Sequence, residues 1–285
     1  MFQMVNKMEV IDIFKDSLVY PSKNWSKLLI LGVLMLIPVF FLMVPLLAAV
    51  FNQFIGAAIL GLICFIVFLI LYLIVYGYSL SVIKETVNDS EEFPEFQWVK
   101  NLIDGIKYLV VSIVYSIIPI VVTLLLAYLT GFFENFANIL NYTTATQGMY
   151  GNNISTIAPG TVTIPPELLI NLYGSIAIVT IVAIILFIIF GLLMNIAIAR
   201  LAKTDNLGDA FSVGEIFEDI ANIGWGNYII WTILLIVISF LFGVLASFVG
   251  LIPIIGSIIA VLLISPYILL LGSRALGLIY NESKS

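Results

Sequence analysis

Four residues carry most of the chemistry this sequence offers: Tyr76, Asn195, Arg200 and Arg274. Each is a polar group set in or beside a long apolar run. A carboxamide such as Asn195 both donates and accepts, so inside a membrane it either binds a ligand or ties two helices together. Its apolar neighbours make the helix–helix tie the plainer expectation. Arg200 and Arg274 stand near the ends of apolar runs, where a guanidinium can reach the interface as an anchor or hold an anionic group. Anchoring is the expectation there too. Tyr72, Tyr76 and Tyr78 close another run, as an interfacial aromatic belt would. These four residues are the candidate binding set; no catalytic and no metal-ligating residue is expected.

The rest of the chemical inventory is mostly exclusions. The chain of 285 residues has no His and one Cys, which removes His-based metal sites, His general bases, intrachain disulfides and thiol-pair redox chemistry. Cys64 lies within an apolar run and reads as a small buried hydrophobe. Asp89, Glu91, Glu92 and Glu95 form an acidic cluster. They read as a solvated linker that also caps the helix after it. There is no phosphate-binding glycine loop, no nucleophile elbow, no paired carboxylates and no basic stripe for nucleic acid. No cofactor and no enzymatic activity are expected.

The elements that must carry these groups are membrane helices. Hydrophobic residues make up 62% of the chain and charged residues 10%, against about 45–50% and 25% in an average soluble domain. The apolar residues fall in runs of the length that a hydrocarbon core of about 30 Å requires. Six spans are expected, near residues 28–50, 57–81, 108–129, 172–197, 228–249 and 253–271. The fourth holds fourteen Ile, Leu, Val and Phe between Ser175 and Met194, which favours insertion by about 4–8 kcal/mol. Pro38 and Pro45 in the first span, Pro119 in the third and Pro266 in the sixth predict kinks or tilts. Pro38 and Pro119 lie at comparable depth and are the sequence's best pointer to a cavity.

Three amphipathic helices precede the odd-numbered spans. In the first, Val10, Ile11, Phe14 and Leu18 share a face opposite Glu9, Asp12 and Asp16. In the second, Phe96, Val99, Leu102, Ile103 and Ile106 oppose Gln97, Lys100, Asn101, Asp104 and Lys107, with Pro94 and Glu95 in its first turn. In the third, Ile216, Phe217, Ile220 and Ile223 oppose Glu215, Glu218, Asp219 and Asn222. Ser212 and Glu215 fit a capping box, with Phe211 and Ile216 as a hydrophobic staple. Residues 131–168 form the one long connection, which carries two N-glycosylation triplets at Asn141 and Asn153.

Each amphipathic helix with its two spans makes a unit, repeated over 8–83, 93–203 and 211–280. Two spans per unit return the chain to its starting side, so the units are parallel and related by a pseudo-threefold axis. All eleven Lys and Arg fall on one side of this threading. That bias puts both termini in the cytoplasm of a plasma-membrane protein, with residues 131–168 outside and the amphipathic helices on the inner face, their apolar stripes against the lipid headgroups or the bundle. Small-residue pairs such as Gly243/Ser247 and Gly256/Ala260 predict close packing of the last two spans.

With this unit in hand, several stretches acquire meaning: IFKDSLVYPSKNW, GYSLSVIKET followed by FPEF, ARLAKTDNLGDAF with IGWGNYIIW, and LIPIIGSIIAVLLISPY with SRALGLIY. In these the chain resembles, over nearly its whole length, an uncharacterised and largely archaeal family of six-span membrane proteins, domain of unknown function 4013. The resemblance implies an integral membrane protein and carries no activity with it. The expected function is a non-enzymatic scaffold or accessory component that engages membrane lipid, a membrane-protein partner or further copies of itself. The alternative is a permease or channel for a neutral or apolar solute, with its pathway along the pseudo-threefold axis.

Overall fold

The computed structural model describes residues 8–50, 54–150 and 164–284, and every regular element among them is helical. α1 (Val10–Val19) runs through a 3-10 turn (Tyr20–Lys23) to α2 (Trp25–Val50). α3 (Phe54–Val87) and α4 (Trp98–Leu129) follow, then α5 (Phe132–Tyr150) and α6 (Pro166–Thr204). The short α7 (Leu207–Ala210) and α8 (Val213–Ile223) lead into α9 (Trp225–Gly250). α10 (Ile255–Ile259), a π-helical turn (Ala260–Ile264) and α11 (Ser265–Asn281) complete the chain. In hydrocarbon the backbone must satisfy its own hydrogen bonds, so long apolar runs can only be helices here. Five helices are long and apolar enough to cross a bilayer; Val10–Lys23 with Trp25–Phe41, bent by 83°, adds a sixth if that pair is one span. The protein is a multi-pass membrane protein.

Two compact units are present: residues 1–112 with 192–285, and residues 113–191. In the second unit the apolar side chains of α4 and α6 stand largely exposed, as lipid-facing helices do. The first unit holds the packed core. Tyr20, Leu28, Leu31, Tyr78, Val82 and Leu270 are buried together there.

Local chemistry explains the turns between helices. Asn24 accepts a hydrogen bond from the Lys27 backbone N–H at 3.1 Å and so caps α2 where the chain bends. Gly224, at φ 94°, makes the turn from α8 into α9. The carbonyls left open at the end of α3 are met by the carboxyl-terminal turn: Asn281 donates to the Thr86 carbonyl at 3.0 Å and Lys284 to that of Val87 at 3.1 Å. Pro266 has no N–H to offer the Leu262 carbonyl, and a π turn stands just before it. Gly32 of α2 faces that same oxygen.

Several expectations need correcting. The second amphipathic segment is the first part of one helix with the third span, because no cap or breaker lies between Ile106 and Tyr108. That helix starts at Trp98, so Pro94 and Glu95 precede it rather than forming its first turn. The long connection contains α5, a 19-residue helix that carries Asn141; its turn residues obscured a run of good helix geometry from Phe132 onward. Asn153 lies outside the described residues. The Ser212 capping box does not form: Ser212 Oγ donates back to the Gly208 carbonyl at 3.3 Å, and Glu215 turns to Arg200.

A very close helix crossing is set by two glycines. A methyl group on Gly77 would strike the Asn101 carbonyl, and one on Gly105 would strike that of Leu73. The backbones of α3 and α4 touch only because neither residue has a Cβ. Gly77→Ala should therefore destabilise the fold by about 1–3 kcal/mol, read as a lowered thermal midpoint in detergent. Gly226→Ala, with open space around it, should leave the midpoint unchanged or raise it.

Candidate functional site

Arg274 sits on α11 with its side chain 5% exposed. A guanidinium cannot be left unpaired in such surroundings, and this one donates from two of its three nitrogens. Its Nε donates to Asp16 Oδ1 of α1 at 2.7 Å. One terminal nitrogen donates to the Ser90 carbonyl at 2.7 Å and to Thr86 Oγ1 at 3.3 Å. The Tyr20 ring lies 5.1 Å from the guanidinium carbon and stacks at 4.3 Å on Phe93. One side chain thus ties α1, the end of α3 and the linker after it to α11.

Arg200 does the same work at the end of α6. Its Nε donates to the Asp209 carbonyl at 3.1 Å, and its terminal nitrogens to Asp219 Oδ2 at 2.6 Å and to Glu215. From the sequence both arginines are expected to anchor at the interface; instead both are held by carboxylates of the same chain. Both are turned inward because α1 and α8 bring them carboxylates.

A third cluster joins α3, α4 and the turn after α6. Lys107 Nζ meets Asp205 at 2.5 Å and Asp104 at 3.7 Å, and Lys84 lies 3.8 Å from Asp205. The Lys107 ammonium holds the Asp205 carboxyl below the usual carboxylate range. Beside it, Ser81 Oγ lies 3.5 Å from Asn101 Oδ1, and both line a polar pocket of about 80 Å³ with Lys84 and Lys100.

The faces of the amphipathic segments depart from the expected division at particular residues. Asn101 and Asp104, assigned to the wet stripe, are 1% and 8% exposed, while Val99 is 72% exposed. On α1 the buried residues are Ile13, Phe14 and Ser17, and Ile11 and Val19 point out. On α8 Ile216, Ile220 and Ile223 are buried as expected, but Phe217 is exposed and Asp219 turns in to Arg200. Beside lipid the outside is apolar, so polar side chains are satisfied only by partners within the protein.

Asn195 lines a cavity of about 240 Å³ together with Ser79, Tyr108, Trp231, Ser239 and Ser273, walled by Ile198, Leu235, Leu269 and Leu276. No charged residue lines it. Ser273 donates to the Leu269 carbonyl at 2.7 Å, so Ser79, 2.7 Å away, is the donor to Ser273. Phe14 of α1 stacks on Trp231 at 6.4 Å, and the Tyr228 hydroxyl beside it donates to the Leu192 carbonyl at 2.7 Å. Tyr76 lines a different space, an apolar groove of about 210 Å³ between α2 and α3 with Pro38, Phe68 and Tyr72. Pro119 lines neither. Of the four candidates, Asn195 alone reaches the polar cavity. The composition of that cavity is scattered over α3, α4, α6, α9 and α11, so no sequence stretch announces it.

Two outcomes follow from the charge contacts. Arg274→Leu, which strands Asp16, should destabilise the protein by about 3–5 kcal/mol, and Asp16→Leu in the same chain should restore much of it; chemical unfolding in micelles checks both. The Asp205 carboxyl is depressed in the folded protein, so its contribution is complete above about pH 4 and lost as pH falls through the folded value. Because this residue is half-exposed, the acid-side loss is small, and Asp205→Asn should abolish it in a stability–pH profile.

The stretches that carried the family resemblance hold many of these contacts: Asp16 and Tyr20, Tyr78 to Thr86, Phe93 and Phe96, Arg200 to Asp209, and Ser273 to Tyr280. No curated protein and no solved structure matches the chain. Residues 59–273 match the family described as "Protein of unknown function (DUF4013)", and the chain belongs to that family.

Proposed function

We propose that this is a six-span, non-enzymatic membrane component built from three parallel repeats, whose collar of amphipathic segments engages lipid or a membrane-protein partner. Three equivalences support the repeat. Trp25, Trp98 and Trp225 open α2, α4 and α9, and each is about half-exposed. Lys84, Arg200 and Arg274 each stand five positions after a residue of the polar cavity, Ser79, Asn195 and Leu269. The amphipathic segment of one repeat is met by the basic end of another: Asp16 by Arg274, Asp219 by Arg200, and Asn101 by the Ser81–Lys84 stretch. Contacts that run head to tail in this way suit a closed ring of three.

In this reading the amphipathic segments lie at the cytoplasmic face, with both termini inside and the loop 131–168 outside. The 83° bend between the α1 segment and α2 suits an in-plane helix beside a span. The observation that carries the function is the apolar outer stripe of these segments. Asp16, Asn101, Asp104 and Asp219 turn inward, while Ile11, Val19, Val99, Ile103 and Phe217 turn outward. An apolar outer stripe at the headgroup level is a surface for acyl chains or a partner helix. Lys107, Arg200 and Arg274, which could have handled a charged substrate, are taken up in internal pairs.

Native mass spectrometry of protein released from nanodiscs should show retained phospholipid, and Val99→Gln with Ile103→Gln should lower the retained amount at least twofold. A bare monomer, indifferent to both substitutions, would contradict the reading. The second reading, a permease for a neutral solute, draws on the polar cavity, because Ser79, Asn195 and Leu269 at equivalent repeat positions would place it on the pseudo-threefold axis.

A further inference from the structure

We infer that the cavity around Asn195 and Trp231 is a binding site for a small neutral molecule that presents a hydrogen-bond acceptor, such as a ketone, ester or amide carbonyl. The first argument is the indole of Trp231. Its residue is fully buried, it lines the cavity, and its Nε1 has no hydrogen-bond partner among the described residues. An indole N–H can only donate, and buried ones normally find an acceptor. The group that completes it must therefore bring a lone pair.

The second argument is charge. The lining holds three serines, an asparagine, a tyrosine and a tryptophan, and no Asp, Glu, Lys or Arg. A charged guest would lose its hydration with nothing to compensate, so the site selects against ions. The third argument is size. About 240 Å³ exceeds the cavity of about 150 Å³ that accepts benzene. A ring with one carbonyl substituent fits, and a phospholipid does not. Asn195 can add a donor or an acceptor to such a guest, while Leu235, Leu269 and Leu276 meet its apolar part. This assignment depends on neither reading of function, since a bound molecule could be cargo or a fixed structural guest.

Three probes of like size separate the alternatives: acetophenone, isopropylbenzene, which replaces its carbonyl oxygen by a methyl group, and benzoate. Saturation-transfer NMR on the protein in nanodiscs, with protein-free nanodiscs subtracted for membrane partitioning, gives their relative affinities. Acetophenone should bind saturably, isopropylbenzene about tenfold more weakly, and benzoate not at all. Trp231→Phe should weaken acetophenone about tenfold and leave isopropylbenzene unchanged. Ser239→Val, at a partly exposed position of the lining, should weaken acetophenone to a lesser degree and serves where Trp231→Phe does not fold. Equal binding of acetophenone and isopropylbenzene would overturn the inference, as would an affinity that neither substitution changes, or no saturable binding of any probe, which would leave the cavity to water alone. Acetophenone binding without acetophenone uptake into proteoliposomes would keep the site and remove the permease reading.

Discussion

A guanidinium buried among apolar helices must be satisfied from within, and that constraint organises the packed part of this protein. Arg274 and Arg200 stand where hydration is poor, so each gathers a carboxylate from an amphipathic segment and carbonyls from a linker. The segments are held by these bonds as much as by their apolar residues. An ion pair of this kind adds less to stability than to uniqueness, because its attraction is set against the loss of hydration. What it does well is fix register: α1 can sit in only one way on α11 if Asp16 is to reach Arg274.

The inward turn of Asp16, Asn101 and Asp104 follows from the same constraint. In water a helix of this pattern turns its charges outward. Against a bilayer, lipid is the better neighbour for Val99 and Ile11, and the interior is the better neighbour for Asn101 and Asp16. The glycine pair at Gly77 and Gly105 adds a second condition, since it brings α3 and α4 near enough for Asn101 to sit beside Ser81. Close backbone approach and inward polarity thus support one another.

Much of the architecture was legible in the sequence because bilayer thickness turns composition into length. The long apolar helices, the turn at Gly224 and the entry tryptophans could be read from run lengths and local residue types. α5 could not, because its Asn and Thr residues look like loop and nothing in their spacing offsets that. Which neighbour each face of the amphipathic segments meets was left open for a physical reason: periodicity shows that two faces differ and says nothing of which medium each one meets. Asn195 could be named as a polar group in apolar company. Its companions Ser79, Ser239 and Trp231 are ordinary residues in their own runs, and only the packing of separate helices makes them a cavity.

The central claim, that Asn101 faces the bundle while Val99 and Ile103 face lipid, is open to direct measurement by nitroxide accessibility. Single labels would be placed through Val99→Cys, Ile103→Cys and Asn101→Cys in a Cys64→Ala background. The account predicts that labels at 99 and 103 relax strongly with oxygen and weakly with a water-soluble nickel chelate, and that the label at 101 is shielded from both. A label at 101 open to the nickel chelate, with 99 and 103 closed to oxygen, would contradict it.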